Sequence, residues 1–415
     1  MDKEEFIKSL KKVKLIIGNG FDLHCGLHTK YSDFYCKNID TFLFINKLYS
    51  DYEKTEVLGF GDDRVKKLTI WDIFFALNSS KDPKENTKRW CDIERLILSS
   101  LMSDNDGKPT PESFSIYMNS KIHWEIIKKH VSANTLPTNH IDRFVVDFIK
   151  GKFKLLGLFP NDFYSFLLDE LKEFERRFGK FIYSQLHQTW FEFCNHNTQE
   201  FLHKPYIEMA LDTINELCDE SNLIAIDSFN YGHIRDQRII SKLQNINGDI
   251  DSPIFGVDSI FEPKDERFIF TKTARRIDFD LFGYNYDAKP TFENIVIFGH
   301  SLNQADYSYF FPLFDRMELT NILANNVIVF AYCIYDPENE NTIKSQLREA
   351  ISKLFYAYAV DKKITNPSRF LDSLSTQKRI ITYEIPTLKR ENYGYSLVDQ
   401  DWDKTYKRID SLFNK

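Results

Sequence analysis

Two glycines, Gly18 and Gly20, flank Asn19, and a carboxylate follows at Asp22, directly behind the apolar run Val13-Lys14-Leu15-Ile16-Ile17. At a strand end these residue types suit the binding of a phosphorylated ligand. Glycine lets the backbone approach a pyrophosphate, and the amides that open the next helix face the anion. The spacing is incomplete, because position 23 is leucine where the dinucleotide fingerprint has its third glycine, and Gly26 comes three residues late. A carboxylate at Asp22 would repel phosphates unless it reaches a ribose hydroxyl or caps the helix. The plain alternative is a tight turn capped by Asp22.

Later strand ends carry further polar groups. Asn230 lies within Phe229-Asn230-Tyr231, and Gly299, His300 and Ser301 follow the apolar run that ends at Phe298. His233 and His300 are the histidines placed at strand ends, each a candidate acid or base, though a histidine so placed is more often a hydrogen-bonded structural group. Asp92 and Glu94 are two apart and so do not share one helical face; Trp90 packed beside a helix-start carboxylate accounts for the segment, with Glu94 able to reach a cleft. Lys272-Thr273 with Arg275 and Arg276 offers positive charge to a phosphate, but reads better as a solvated loop or edge strand. The cysteines, at 25, 36, 91, 194, 218 and 333, form no C-x-x-C pair, so they read as reduced, packed thiols and no metal is expected.

The elements that must position these groups follow from the apolar pattern. Strands are expected at Val13–Ile17, Leu223–Ile226, Ile295–Phe298, Val327–Tyr332 and Arg379–Tyr383, the first four being short apolar runs of the kind buried on both faces of a parallel sheet. A crossover helix is expected over Asp306–Ala324, its aromatic run Tyr307–Phe311 packed inward, and another helix over Thr342–Ala359. Helical patterns dominate from about residue 40 to 220, with the segment 102–109 as a loop. The fold class is therefore α/β: a Rossmann-like, doubly wound, mostly parallel sheet with a large helical insertion. The division expected is a nucleotide-binding core (residues 1–40 and 221–335), a helical insertion (41–220) and a C-terminal α/β extension (336–415).

Bulk properties narrow the partners. The 54 basic and 61 acidic residues leave a net charge of −7, which disfavours a mainly electrostatic grip on nucleic acid. No apolar run reaches the roughly 20 residues needed to cross a bilayer, and the charged start leads straight into a helical pattern, so a cytoplasmic location is expected. The 37 phenylalanines and 21 tyrosines, beside 15 glycines and 13 prolines, suit long helices with large aromatic cores.

The string from Ile16 to Phe34, including Gly18-Asn19-Gly20-Phe21-Asp22-Leu23, Gly26-Leu27, Thr29, Tyr31 and Phe34, resembles the signature of the bacterial AbiH family of abortive-infection phage-defence proteins. Only the signature's proline is lost, to His28. Trp90-Cys91-Asp92-Ile93-Glu94, Phe229-Asn230-Tyr231, Ile254-Phe255-Gly256-Val257-Asp258 and Phe298-Gly299-His300-Ser301-Leu302 with Asp306 are similar to further motifs of the family, in order. The last hundred residues match no motif.

The spacing is more distantly similar to that of sirtuin-like NAD-consuming domains. That resemblance implies a nucleotide ligand, NAD or a relative, held by Gly18, Asn19, Gly20, Phe21, Asp22, Thr29, Gly256, Gly299 and Ser301, with Asn230 near the nicotinamide ribose and Asn247 at the reacting centre, where His300 is a candidate substitute by its strand-end placement. It also implies cleavage of a glycosidic C–N bond. Asn247 stands where the resemblance calls for histidine, and asparagine orients water or hydroxyls but is no base near pH 7. Three functions follow as expectations: a defence effector that consumes NAD when a phage trigger is sensed; a non-catalytic nucleotide sensor that signals through the helical insertion; and, weakest, a metal-dependent nuclease using Asp92 and Glu94. A homo-oligomeric state is left open.

Overall fold

The structure, a computed structural model, describes residues 2–79, 93–102, 120–191, 204–232, 234, 236, 239–257, 261–278 and 291–388. The chain divides into two compact units, one comprising Met1–Thr29, Ile182–Ile250 and Phe279–Gln400, the other Lys30–Phe181, Asp251–Asp278 and Asp401–Lys415. Among the described residues no helix is long and apolar enough to cross a membrane.

The first unit is built on a six-stranded, all-parallel sheet: β1 (Val13–Ile17), β2 (Leu223–Ser228), β3 (Leu243–Asn245), β4 (Asn294–Phe298), β5 (Ile328–Tyr332) and β6 (Ile380–Glu384), in spatial order β3-β2-β1-β4-β5-β6. This is the doubly wound, Rossmann-like order: the chain starts in the middle, and the sheet grows to one side through β2 and β3 and to the other through β4, β5 and β6. β1 and β4 are buried at every position, which is why their sequences read as apolar runs apart from Asn294, at the start of β4, and Lys14. Lys14 Nζ reaches Asp227 Oδ2 on β2 at 2.6 Å. That carboxylate also accepts the Tyr309 hydroxyl, so the buried ion pair is satisfied from three elements.

Register fixes what stands at the carboxyl edge. Ile17 lies opposite Ser228 on one side and Phe298 on the other. The segments that follow β1, β2 and β4 therefore leave the sheet side by side. The expected C-terminal extension contributes β6, which pairs with β5 and extends the same sheet. The expected crossover helix is shorter than its apolar pattern, Tyr307–Arg316; beyond it the chain turns at Glu318 (φ +49°), and the Arg379 guanidinium binds the carbonyls of Leu319, Asn321 and Asn326. Phe310 and Phe314 of this helix pack inward, Phe314 stacking on Phe355 of helix Glu340–Asp361 at 5.1 Å between centroids.

The second unit is helical. Its described helices include Tyr31–Lys37, Ile39–Thr55, Ile70–Asn78, Ile93–Leu101, Trp124–Ser132, His140–Leu156 and Lys272–Asp278, together with the first part of Phe163–Phe191. The phenylalanine-rich composition becomes an aromatic core: Phe34 meets Phe174 and Phe178 edge-on, and Trp71 meets Trp124 at 5.5 Å. Helix Ile70–Asn78 starts on a capping box in which Thr69 and Asp72 exchange side-chain bonds with each other's backbone amides.

Here the basic run at 272–276 departs from expectation. Lys272 and Arg275 are 1% and 5% exposed, not solvated. Lys272 Nζ pairs with Glu94 Oε2 at 2.9 Å, and Arg275 grips Glu175 through two bonds of 3.0 and 2.7 Å while Glu175 also accepts the Phe255 amide. The same motif places Gly256 where a Cβ would lie 2.7 Å from Lys272 Cγ and 3.0 Å from its amide nitrogen, so the close approach of two backbones requires glycine. Because Glu175 is 2% exposed, Arg275→Met is expected to cost about 3–5 kcal/mol by leaving a buried charge unpaired. Adding Glu175→Gln should recover much of that loss in urea unfolding; no recovery would mean that Arg275 acts through packing rather than charge.

Candidate functional site

The carboxyl edge of the sheet, at the point where the strand order reverses between β1 and β4, is where doubly wound folds bind ligands. Three of the sequence motifs meet there. Gly18 caps the short helix Asn19–His24, and its amide donates to the Phe298 carbonyl at 3.1 Å while the Gly20 amide donates to the Gly299 carbonyl at 2.8 Å. The two loops touch so closely that side chains have no room. A Cβ on Gly18 would lie 2.6 Å from His300 Cα, one on Gly20 2.7 Å from Gly299 Cα, and one on Gly299, whose φ is +70°, 2.2 Å from the Phe21 nitrogen. The glycines at 18, 20 and 299 thus let one loop lie on the other, and the amides of Gly18 and Gly20, expected to face a pyrophosphate, are engaged by backbone carbonyls.

The β4 turn is strained and internally braced. Leu302 holds φ +54°, and its amide donates to His300 Nδ1 at 2.9 Å. Accepting that bond requires an unprotonated Nδ1, so Nε2 carries the hydrogen, and it faces Asp306 Oδ2 at 3.5 Å. The ring lies against Phe229 at 4.3 Å and Phe310 at 5.2 Å. His300 is built into the turn, with its basic nitrogen already occupied. Ser301 and Asn19 are exposed, and Asn19 Oδ1 accepts the Thr29 hydroxyl at 2.6 Å.

The polar centre lies one turn further along, at Asp22. Its carboxylate is 2% exposed, and Oδ1 accepts from Tyr206 Oη at 2.7 Å and from Asn230 Nδ2 at 3.0 Å. Burial pushes the Asp22 carboxyl up to about 7, against the opposing effect of those two hydrogen bonds. Asn230 is itself 4% exposed and is held by its own amide, which donates to Ser228 Oγ at 3.1 Å. The Asn230 Oδ1 atom is buried and accepts no hydrogen bond. A carboxylate that titrates near neutrality, beside a rigid amide, is the arrangement that acid–base and sugar-binding sites share.

The structure therefore joins Asp22 to Asn230, joins Gly18, Gly20 and Phe21 to Gly299 and His300, and joins Asn19 to Thr29. Asn247 is buried just past β3, beside Gly248 at φ +78°, and Gly256 belongs to the helical unit. Trp90, Asp92 and His233 lie outside the described residues; Glu94 is the partner of Lys272. Tyr206 was not anticipated. It sits near the start of helix Lys204–Leu217, 184 residues from Asp22, and no motif marks it.

A family model described as Bacteriophage abortive infection AbiH matches residues 15–329. No curated protein and no solved structure matches the chain.

Proposed function

Taking as premise that the chain belongs to the AbiH family of bacteriophage abortive infection proteins, we propose that it binds a nucleotide at the carboxyl edge of its parallel sheet and consumes NAD when infection is sensed. One observation carries the reading: motifs more than 200 residues apart, at 18–22 and 229–231, close on each other through the 3.0 Å bond between Asp22 and Asn230. A fold-building role alone does not call for a buried carboxylate there with an acceptor amide beside it. In this reading Asp22 and Asn230 face the reacting end of the ligand, while the Nδ2 of exposed Asn19 and the exposed Ser301 hydroxyl supply donors to the phosphates. The Gly18 and Gly20 amides do not, since they go to Phe298 and Gly299.

Cleavage of a nicotinamide–ribose bond develops positive charge on the sugar, and an ionised Asp22 stabilises it electrostatically. Phe21, fully buried, and the His300-braced turn hold the two loops in place. Action in the cytoplasm, where NAD is available, fits this role. Purified protein incubated with NAD should consume it only when extract of phage-infected cells is added, and Asn230→Ala should abolish both NAD loss and protection. Undiminished NAD together with full protection by Asn230→Ala would overturn the reading.

One observation favours a second version, a sensor that binds without cleaving. His300 has its basic nitrogen occupied and Asn247 is no base, so the described strand ends present no histidine ready to activate water. In that version Asn230→Ala loses protection while NAD stays intact throughout.

A further inference from the structure

We propose that Asp22 and Asn230 form a receptor for the vicinal hydroxyls of a ribose, Oδ2 of Asp22 and Oδ1 of Asn230 each accepting one hydroxyl hydrogen. The proposal rests on the nucleotide reading above and specifies which part of the nucleotide this cluster holds.

The argument is a count of donors and acceptors. Asp22 presents two oxygens, and its two donors, the Tyr206 hydroxyl and the Asn230 amide, converge on Oδ1. Among the described residues Oδ2 accepts nothing. Asn230 directs its Nδ2 at Asp22, which turns its Oδ1 the other way, and that oxygen is buried with no donor. Exchanging the amide's N and O would set two oxygens against each other, so the orientation is fixed by the ionised carboxylate. A buried acceptor left empty costs about 1–3 kcal/mol, and Asn230 Oδ1 is one, beside the second, unused oxygen of Asp22.

Phosphates and carboxylates, which need donors, are the wrong chemistry for this spot. Hydroxyls are the right one, and a ribose brings two on adjacent carbons. The backbone of Gly232 borders the free oxygen of the carboxylate. At Gly232 a Cβ would sit 3.7 Å from Asp22 Oδ2, 3.9 Å from Tyr206 Oη and 4.0 Å from Leu186 Cδ1, with nothing nearer. A methyl there would fit without strain and would cover Oδ2. Any larger residue at 232 would close the approach.

The test is calorimetric titration of the full chain at pH 8 with NAD and with ATP, each compared with its 2′-deoxy counterpart. Whichever ribonucleotide binds should lose about 10- to 100-fold in affinity when the hydroxyl is removed, the range for a hydrogen bond to a charged group. Gly232→Ala should weaken the ribonucleotide to the level of its deoxy form, leave the deoxy form unchanged and unfold at the same urea concentration as the parent protein. Asp22→Asn should likewise erase the difference between the two forms. Deoxy and ribo forms bound equally by the parent protein would overturn the diol receptor while leaving nucleotide binding intact. Failure of both NAD and ATP to bind would overturn both readings together. Discrimination without NAD loss would uphold the receptor and point to the sensor.

Discussion

Asp22→Asn is expected to stabilise the protein at pH 8 while abolishing its protection against phage. The sign follows from linkage. The carboxyl titrates at about 7 in the folded protein and at the ordinary 3.8 when exposed. Between those values the native state holds a proton that the unfolded state has released, so stability falls as pH rises through the window and the full penalty is present above it. A shift of that size corresponds to about 4 kcal/mol. The asparagine amide keeps an oxygen for Tyr206 and Asn230 without the charge, so it should recover on the order of 2–4 kcal/mol at pH 8 and close to nothing at pH 4, where the native carboxyl is already neutral. Urea unfolding of both proteins at the two pH values reads the difference directly, and comparing them cancels every other titrating group. A variant no more stable than its parent at pH 8 would show that Asp22 is not held against its own ionisation. A stabilising change that destroys function is the mark of a group kept for chemistry and not for folding.

The same residue shows how far the sequence could be read. β1, β4 and β5 were legible because a strand buried on both faces is a short apolar run, and β1 and β4 are each closed by a glycine. β3 was not, since Leu243–Asn245 is three residues long and carries no periodicity. The crossover helix was overextended to Ala324 because its apolar pattern continues past Arg316, and the chain is turned there by a guanidinium from Arg379, a remote residue. The basic run at 272–276 looked solvated for a similar reason: the glutamates that neutralise it, at 94 and 175, are far away in sequence.

At the site, residue types and spacing located the loops at 18–22, 229–231 and 298–302, and register between β1, β2 and β4 explains why they meet. What spacing could not supply was hydrogen-bond direction. Nothing in Gly18-Asn19-Gly20 says that two of its amides end on the carbonyls of Phe298 and Gly299, and nothing near Tyr206 says that its hydroxyl ends on Asp22. Those facts shift the polar centre from the glycines to the carboxylate.

That shift has its own test in the glycines. Gly299→Ala is expected to be among the most destabilising single changes in the chain, at about 3 kcal/mol or more. Two effects add. The backbone at φ +70° is one that a residue with a side chain adopts at a cost of about 1–2 kcal/mol, and the new methyl would stand 2.2 Å from the Phe21 nitrogen, where only movement of the backbone relieves it. Gly18→Ala and Gly20→Ala should each cost nearly as much, since their methyls would meet His300 Cα at 2.6 Å and Gly299 Cα at 2.7 Å. Gly232→Ala, which meets nothing nearer than 3.7 Å, is the control that should unfold like the parent protein. If the three loop glycines were present so that a pyrophosphate could approach the backbone, their alanine variants would fold normally and lose only ligand. The geometry requires the opposite order: stability falls first, because the loops they join are what holds Asp22 and Asn230 in place, and any loss of ligand follows from the loss of that support.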